Sequence, residues 1–409
     1  FHGDESTQIY MGRDYFHQFI QQDWEQLHYS ETPISHTEQH LRLINGTIPK
    51  YLFGWAAYSL DYTIDEINEQ WDWGADWNYN INTGHIPKPD LLQRSRIIST
   101  AFLIISMIAM FYIGYSVQGR GVAYLVSFLY AIHPAILLNG RRAMMEGAFL
   151  CCGLLLILAA IWLLRERKWW QYLLVGVFSG LAIASKHTAA MIVVAVFITA
   201  ILYPIWQIFR AKIQRSSLIR HFIFLAGAGI FALSIFYMLN PGWWDDPVAR
   251  AGIVLEKRTD LLQIQTDIFD GYTSLNDKVA GWWEQVFIAQ PMYYEVSDWQ
   301  TYIADEIITY EASGVAGIVM GGSMIGASLL LLLTLFGLYR LFRDTAIQNS
   351  TCWLVVIWGI LTLILTLFIT PLEWQRYYLP IYPIVLLLTA LSLQHLLNIV
   401  YTRISYINS

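Results

Sequence analysis

Asp4 and Glu5 stand side by side in Phe1-His2-Gly3-Asp4-Glu5, and a third carboxylate, Glu146, closes the stretch Asn139-Gly140-Arg141-Arg142-Ala143-Met144-Met145-Glu146. Basic nitrogens recur at Lys50, Arg141, Arg142, Arg376 and in Ser185-Lys186-His187-Thr188. A carboxylate suits removal of a proton from a hydroxyl, and Lys or Arg suits a phosphate that departs with negative charge. The guanidinium fork matches two phosphate oxygens at once. Brought to one place at a bilayer surface, these groups suit transfer from a lipid-linked phosphate donor to a hydroxyl acceptor. Each also has a plainer role. Adjacent acids begin many helices or lie solvated. Arg141 or Arg142 with Glu146 makes a structural pair within a turn. Lys186 equally well reaches toward lipid headgroups, and Arg376 equally well anchors a span.

The elements that must position these groups are apolar. Of 409 residues, 56% are hydrophobic and only 14% charged, well below the quarter typical of soluble domains. The apolar residues come in runs long enough to cross a bilayer as helices. Nine spans are expected, at about 94–118, 121–139, 146–164, 170–186, 188–209, 222–239, 314–339, 351–370 and 377–399. This makes an all-α polytopic membrane protein. Its parts are an outer loop over 1–93, a transmembrane module over 94–239, a large outer loop over 240–313 and C-terminal spans over 314–409.

Lys and Arg fix the orientation. Arg120, then Arg165, Arg167 and Lys168, then Arg210, Lys212, Arg215 and Arg220, then Arg340 and Arg343, and finally Arg403 follow alternate spans. That face is expected to be cytoplasmic, which leaves every candidate above on the non-cytoplasmic face. Two short stretches there are ambiguous. Ile48 to Leu60 reads either as a helix lying at the interface or as the core of a loop domain. Trp71-Asp72-Trp73-Gly74-Ala75-Asp76-Trp77-Asn78-Tyr79 reads as an interfacial belt, a loop core or a sugar-stacking surface. Cys151, Cys152 and Cys352 lie within apolar runs and imply no disulfide framework. No recognition motif or basic face supports nucleic-acid binding. The scarcity of internal repeats and of mid-span charge weighs against a transporter. Asn45-Gly46-Thr47 fits an N-glycosylation sequon.

Several motifs, in order, resemble the GT-C membrane glycosyltransferases of the protein mannosyltransferase and aminoarabinose transferase clan. Asp4-Glu5 matches that family's acid pair, which follows a first span, so a further span before Asp4 is expected. Ile48-Pro49-Lys50-Tyr51-Leu52 resembles its juxtamembrane Pro-Pro-Leu-x-Lys-Tyr-Leu, and Arg96-Ile97-Ile98-Ser99 its Arg-x-x-Ser span entry. Gly140 to Glu146 keeps the spacing of Ser-Arg-x-Ala-Met-x-Asp, with Glu in place of Asp. Gly180 to His187 matches Gly-Leu-Ala-x-x-x-Lys-Tyr/His, and Arg376 to Pro383 matches Arg-Tyr-x-Leu-Pro-x-x-Pro. The resemblance implies an inverting glycosyl transfer from a polyprenyl-phosphate sugar, with membrane lipids around it and a protein, lipid or glycan as acceptor. It implies Asp4 as base, Glu5 and Glu146 assisting or holding a divalent metal, and Lys50, Arg141, Arg142, Lys186, His187 and Arg376 around the lipid phosphate. The alternative is a GT-C-like subunit of a larger membrane complex that performs no catalysis. Two Trp-rich insertions, 61–93 and 240–313, suit either acceptor choice or docking of a partner.

Overall fold

The computed structural model describes residues 1–210, 215–345 and 349–407, and among these the regular structure is helical. Lys212 of the basic loops lies outside the described residues. Short helices precede the long ones, among them α1 (Gly3–Tyr10), α2 (His36–Ile44) and α3 (Thr47–Tyr58). The bundle is then α4 (Pro89–Gln118), α5 (Arg120–Ile132), α6 (Pro134–Arg141), α7 (Glu146–Glu166), α8 (Trp169–Ser185), α9 (Ala190–Phe209) and α10 (Arg215–Leu239). The large loop carries α11 (Pro247–Ile268), α12 (Leu275–Trp283) and α13 (Ala304–Ala312). The chain ends in α14 (Met324–Thr345), α15 (Ser350–Ile364) and α16 (Tyr382–Ile407).

Among the described residues, seven helices are singly long and apolar enough to cross a membrane, and eight segments are if the bent pair α5–α6 counts as one. The nine-span expectation differs from this at identifiable places. The second expected span breaks by 63° at His133-Pro134. Proline lacks an amide N–H and pushes the preceding residue out of helical geometry, and His133 is extended there. The fourth, α8, is an apolar helix of 17 residues, shorter than the others. The seventh begins at Met324 and not at 314, because Gly317 and Gly322 adopt left-handed φ of 91° and 67°. The non-helical stretch ahead of it is useful: Ile318 N–H donates to the Ile132 carbonyl, left free at the break in α5–α6, at 2.7 Å.

Helix α7 is the hub. Its apolar face is buried all round, and it packs against α4, α6, α8, α9 and α15. A helix apolar on every side must sit inside a bundle. Glu146 at its first turn and Arg165 near its last therefore mark opposite ends of this central helix.

The ambiguous stretches resolve by burial. Helix α3 buries Lys50, Phe53, Ala56 and Ala57 while Trp55 and Tyr58 are exposed, so it has both an inner and an outer face. Trp71 and Trp77 form a loop core with Tyr294 and Ile303, but Trp73 is 41% exposed. Asn45 of the sequon lines an internal cavity, and Thr47 Oγ1 hydrogen-bonds Asn240 Oδ1 within the protein.

Candidate active site

Helix α1 is begun by its own side chains. His2 Nδ1 accepts from Asp4 N–H at 3.1 Å, and Glu5 accepts from His2 N–H at 3.1 Å. Each satisfies an amide that the first helical turn leaves open. The two adjacent acids then part company. Glu5 is fully buried and takes both Arg96 Nε and Nη2, at 2.7 and 2.6 Å, and Ala143 N–H at 2.9 Å. Burial alone would raise its carboxyl, but Arg96 holds it well below the usual carboxylate range. Asp4, on the next face, points into a cavity.

That cavity has a volume of about 350 Å³. Asp4, Glu146 and Glu295 supply its acids; Lys186, Arg258 and Arg376 supply its cations. Met144, Met145, Leu261, Ile264 and Ile268 contribute apolar wall, and α2 and α11 face one another across it. Lys186 is aimed there because α8 ends at it: the residue is extended, and the chain turns into a short 3-10 segment. Gly46 makes room for this, since a Cβ at that position would collide with the Ser185 carbonyl. Glu146 stands in the first turn of α7, where the helix dipole favours a carboxylate.

Charge is distributed in two linked groups. Lys186 Nζ meets Glu146 Oε1 at 2.7 Å. Arg376 bridges Asp4 Oδ2 and Glu295, the latter at 3.3 Å. Glu295 in turn meets His2 Nε2 at 2.6 Å. Because His2 Nδ1 accepts from the Asp4 amide, the assigned tautomer carries its proton on Nε2 and donates it to Glu295. Burial holds His2 below its ordinary range. Burial pushes Glu295 up, but His2 and the Arg142 cation outweigh it and hold it low. Two buried acceptors at the cavity, Glu146 Oε2 and Gln8 Oε1, take no hydrogen bond from the described residues.

The other expected site residues do not line this cavity. Lys50 is buried against Asp14 at 2.5 Å. Arg141 donates to the Leu137 and Val315 carbonyls at 2.8 and 2.9 Å, and Arg142 to the Tyr293 carbonyl. His187 lies beside Phe236 and Trp243. Conversely, Arg258 and Glu295 are at the cavity and carried no motif. Arg258 had a findable signal. Arg258, Leu261, Gln265 and Ile268 recur at three- and four-residue steps, which place them on one face of α11. Glu295, in Tyr293-Tyr294-Glu295-Val296, had none.

Residues 71–244 match a family model. It is described as dolichyl-phosphate-mannose-protein mannosyltransferase. The mannosyltransferase-like stretch includes Trp73, Glu146 and Lys186, whereas Asp4, Arg258, Glu295 and Arg376 lie outside it. No curated protein matches the sequence. Solved structures of an oligosaccharyltransferase from Archaeoglobus fulgidus share the fold. The apo form aligns with TM-score 0.52 and 13% identity over 100% of this chain and 48% of that one. The complex with Zn and sulfate gives 0.51 and 12%, over 98% and 46%. The complex with an inhibitory peptide and a dolichol-phosphate gives 0.50 and 14%, over 99% and 48%. The chain thus spans about half the length of these structures. With its apolar helices and its mannosyltransferase-like stretch, it is an integral membrane protein with a GT-C-like fold.

The divalent metal expected at Asp4, Glu5 and Glu146 meets a poor donor set. Glu5 is spent on Arg96, Asp4 is paired with Arg376, and Glu146 with Lys186. Among the described residues, no three His, Cys, Asp or Glu side chains group to hold a metal ion. A metal cation would have to displace protein cations already in place.

Proposed function

We propose that this chain transfers a sugar from a polyprenyl-phosphate carrier to a hydroxyl acceptor, with inversion, on the non-cytoplasmic side of a membrane. One observation carries the reading: a single cavity joins apolar wall, three cations and the carboxylates of Asp4 and Glu146. Apolar wall suits the prenyl chain. Lys186, Arg258 and Arg376 suit its phosphate. Sugar hydroxyls are the donors that Glu146 Oε2 and Gln8 Oε1 lack.

In the step proposed, Asp4 accepts the acceptor's hydroxyl proton. The acceptor oxygen forms a bond to the sugar's anomeric carbon from the face opposite the phosphate. The bond from that carbon to the phosphate oxygen breaks, and the polyprenyl phosphate leaves with the electron pair, its added charge held by the three cations. Arg376 is paired with Asp4 before the donor arrives. A phosphate that draws Arg376 toward itself releases the base, so donor binding and base activation are coupled. Glu146 is one methylene longer than the Asp of the resembled motif. Its pairing with Lys186 gives it the part of holding that cation and a sugar hydroxyl, not of removing the acceptor proton.

The non-catalytic alternative calls for no cavity joining Asp4 to Glu146, and the shared cavity favours catalysis over it. The deciding experiment is Asp4→Asn in membranes supplied with polyprenyl-phosphate mannose as the donor probe. Transfer is expected to fall by about 10²–10⁴-fold with donor binding retained. Transfer at the wild-type rate would remove Asp4 as the base.

A further inference from the structure

The base opens onto an aromatic shelf. Trp73 lines the cavity with Asp4, yet it is 41% exposed and so stands at the mouth. Its ring lies 6.2 Å from that of His2, whose Nδ1 holds the Asp4 amide. Trp73 stacks on Trp299, with centroids 5.5 Å apart and planes within 12°. Trp299 contacts Trp77 at 6.1 Å, and Trp77 stacks on Tyr302 at 5.3 Å and 7°. Tyr302 is 49% exposed. The shelf is held rigid from below by the buried Trp71 and Tyr294. Exposed carboxylates flank it at Asp72, Asp76 and Asp298.

We propose that this shelf is the acceptor subsite and that the acceptor is a neutral glycan, bound with its terminal sugar on Trp73 and a hydroxyl facing Asp4. The inference rests on the reading of the cavity as the transfer site. Flat aromatic faces pack on the apolar faces of sugar rings, and carboxylates beside them accept sugar hydroxyls. Trp73 and Tyr302, the exposed rings at the two ends of this row, provide for more than one sugar unit. The same carboxylates repel anionic headgroups and acidic peptides, which argues against a purely membrane-anchoring role. A peptide acceptor would ask for backbone hydrogen-bonding edges, which stacked rings do not offer.

The test uses the full chain in nanodiscs and saturation-transfer NMR. The probes are tetrasaccharides of mannose, glucose and N-acetylglucosamine, and a Ser/Thr-rich peptide. At least one tetrasaccharide is expected to bind. Trp73→Ala should weaken it about tenfold, and Trp73→Phe should restore most of the loss, with melting temperature confirming that both variants fold. The proposal is overturned if no tetrasaccharide binds, if binding is indifferent to Trp73→Ala, or if only the peptide binds. Decaprenyl phosphate binding, measured separately on the wild type and on Lys186→Ala, reports on the transfer reading. Its failure alongside intact, Trp73-dependent glycan binding would sink the donor assignment and leave the shelf standing.

Discussion

Two clusters that each set carboxylates against cations are built from the same residue types. In the first, Asp14 takes Arg42 Nε at 2.7 Å and Lys50 Nζ at 2.5 Å, and Arg42 continues to Glu38 at 2.7 Å and to the Gln26 carbonyl at 2.6 Å. Both Asp14 oxygens are used. In the second, Asp4, Glu146 and Glu295 face Lys186, Arg258 and Arg376 across a cavity, and an oxygen of Glu146 is left over. The first cluster ties α2 and α3 to the chain that follows α1. The second has valences to spare. Residue type does not separate a structural ion cluster from a reactive one; unsatisfied groups beside accessible volume do.

The comparison breaks most sharply on paired Asp→Asn changes. Asp4→Asn is expected to act on transfer, as proposed above. Asp14→Asn is expected to act on folding, because it leaves the buried Lys50 ammonium without its carboxylate. A loss of about 3–5 kcal/mol is the usual consequence of removing one partner from a buried pair. Thermal unfolding of the purified protein should reveal it, while the fraction that remains folded keeps its transfer rate per molecule. Equal losses of rate in the two variants, with unchanged melting, would erase the distinction between the clusters.

The lysines sharpen the same contrast with a smaller effect. Lys186→Ala removes one of three cations proposed for the departing phosphate. A fall of about 10²–10³-fold in kcat/KM is expected, about 2.7–4 kcal/mol. Some stability goes with it, because Glu146 is left buried and unpaired. The double variant Lys186→Met with Glu146→Gln separates the two, since it restores a neutral, satisfiable site without restoring the cation. Activity recovering with stability would make Lys186 a structural partner only.

Much of this arrangement is legible in the sequence. The apolar runs dictate helices, and four residues picked by type and motif, Asp4, Glu146, Lys186 and Arg376, line one cavity. What the sequence does not reveal is which charges are already spent. Lys50 meets an acid 36 residues away, and Arg96 binds Glu5 across 91. Local spacing carries no trace of such pairings, so Lys50 and Glu5 read as site residues when their charges are satisfied within the protein. Glu295 is invisible for the converse reason, since its meaning comes only from His2 and Arg376, both far off in the chain. Apolar content alone points to an early start for α14, but Gly317 and Gly322 keep the backbone ahead of Met324 out of the helix.

Acid provides the gentlest probe of the two clusters. Burial pushes the Asp14 carboxyl up, but Arg42 and Lys50 outweigh it and hold it below its ordinary value of 3.8. A group with a depressed folded value contributes stability that is fully present above the unfolded value. That contribution is lost as pH falls through the folded one. The wild-type melting temperature is therefore expected to hold its Asp14 contribution down to about pH 4 and to lose it below. In Asp14→Asn the starting stability is lower, but the acid limb should be shallower, because one proton fewer is taken up on unfolding. Melting curves of the two proteins between pH 3 and pH 7 decide this. Parallel acid limbs would mean that Asp14 is not the anion that Lys50 and Arg42 hold. The buried cluster would then lose the property that sets it apart from the one at the cavity.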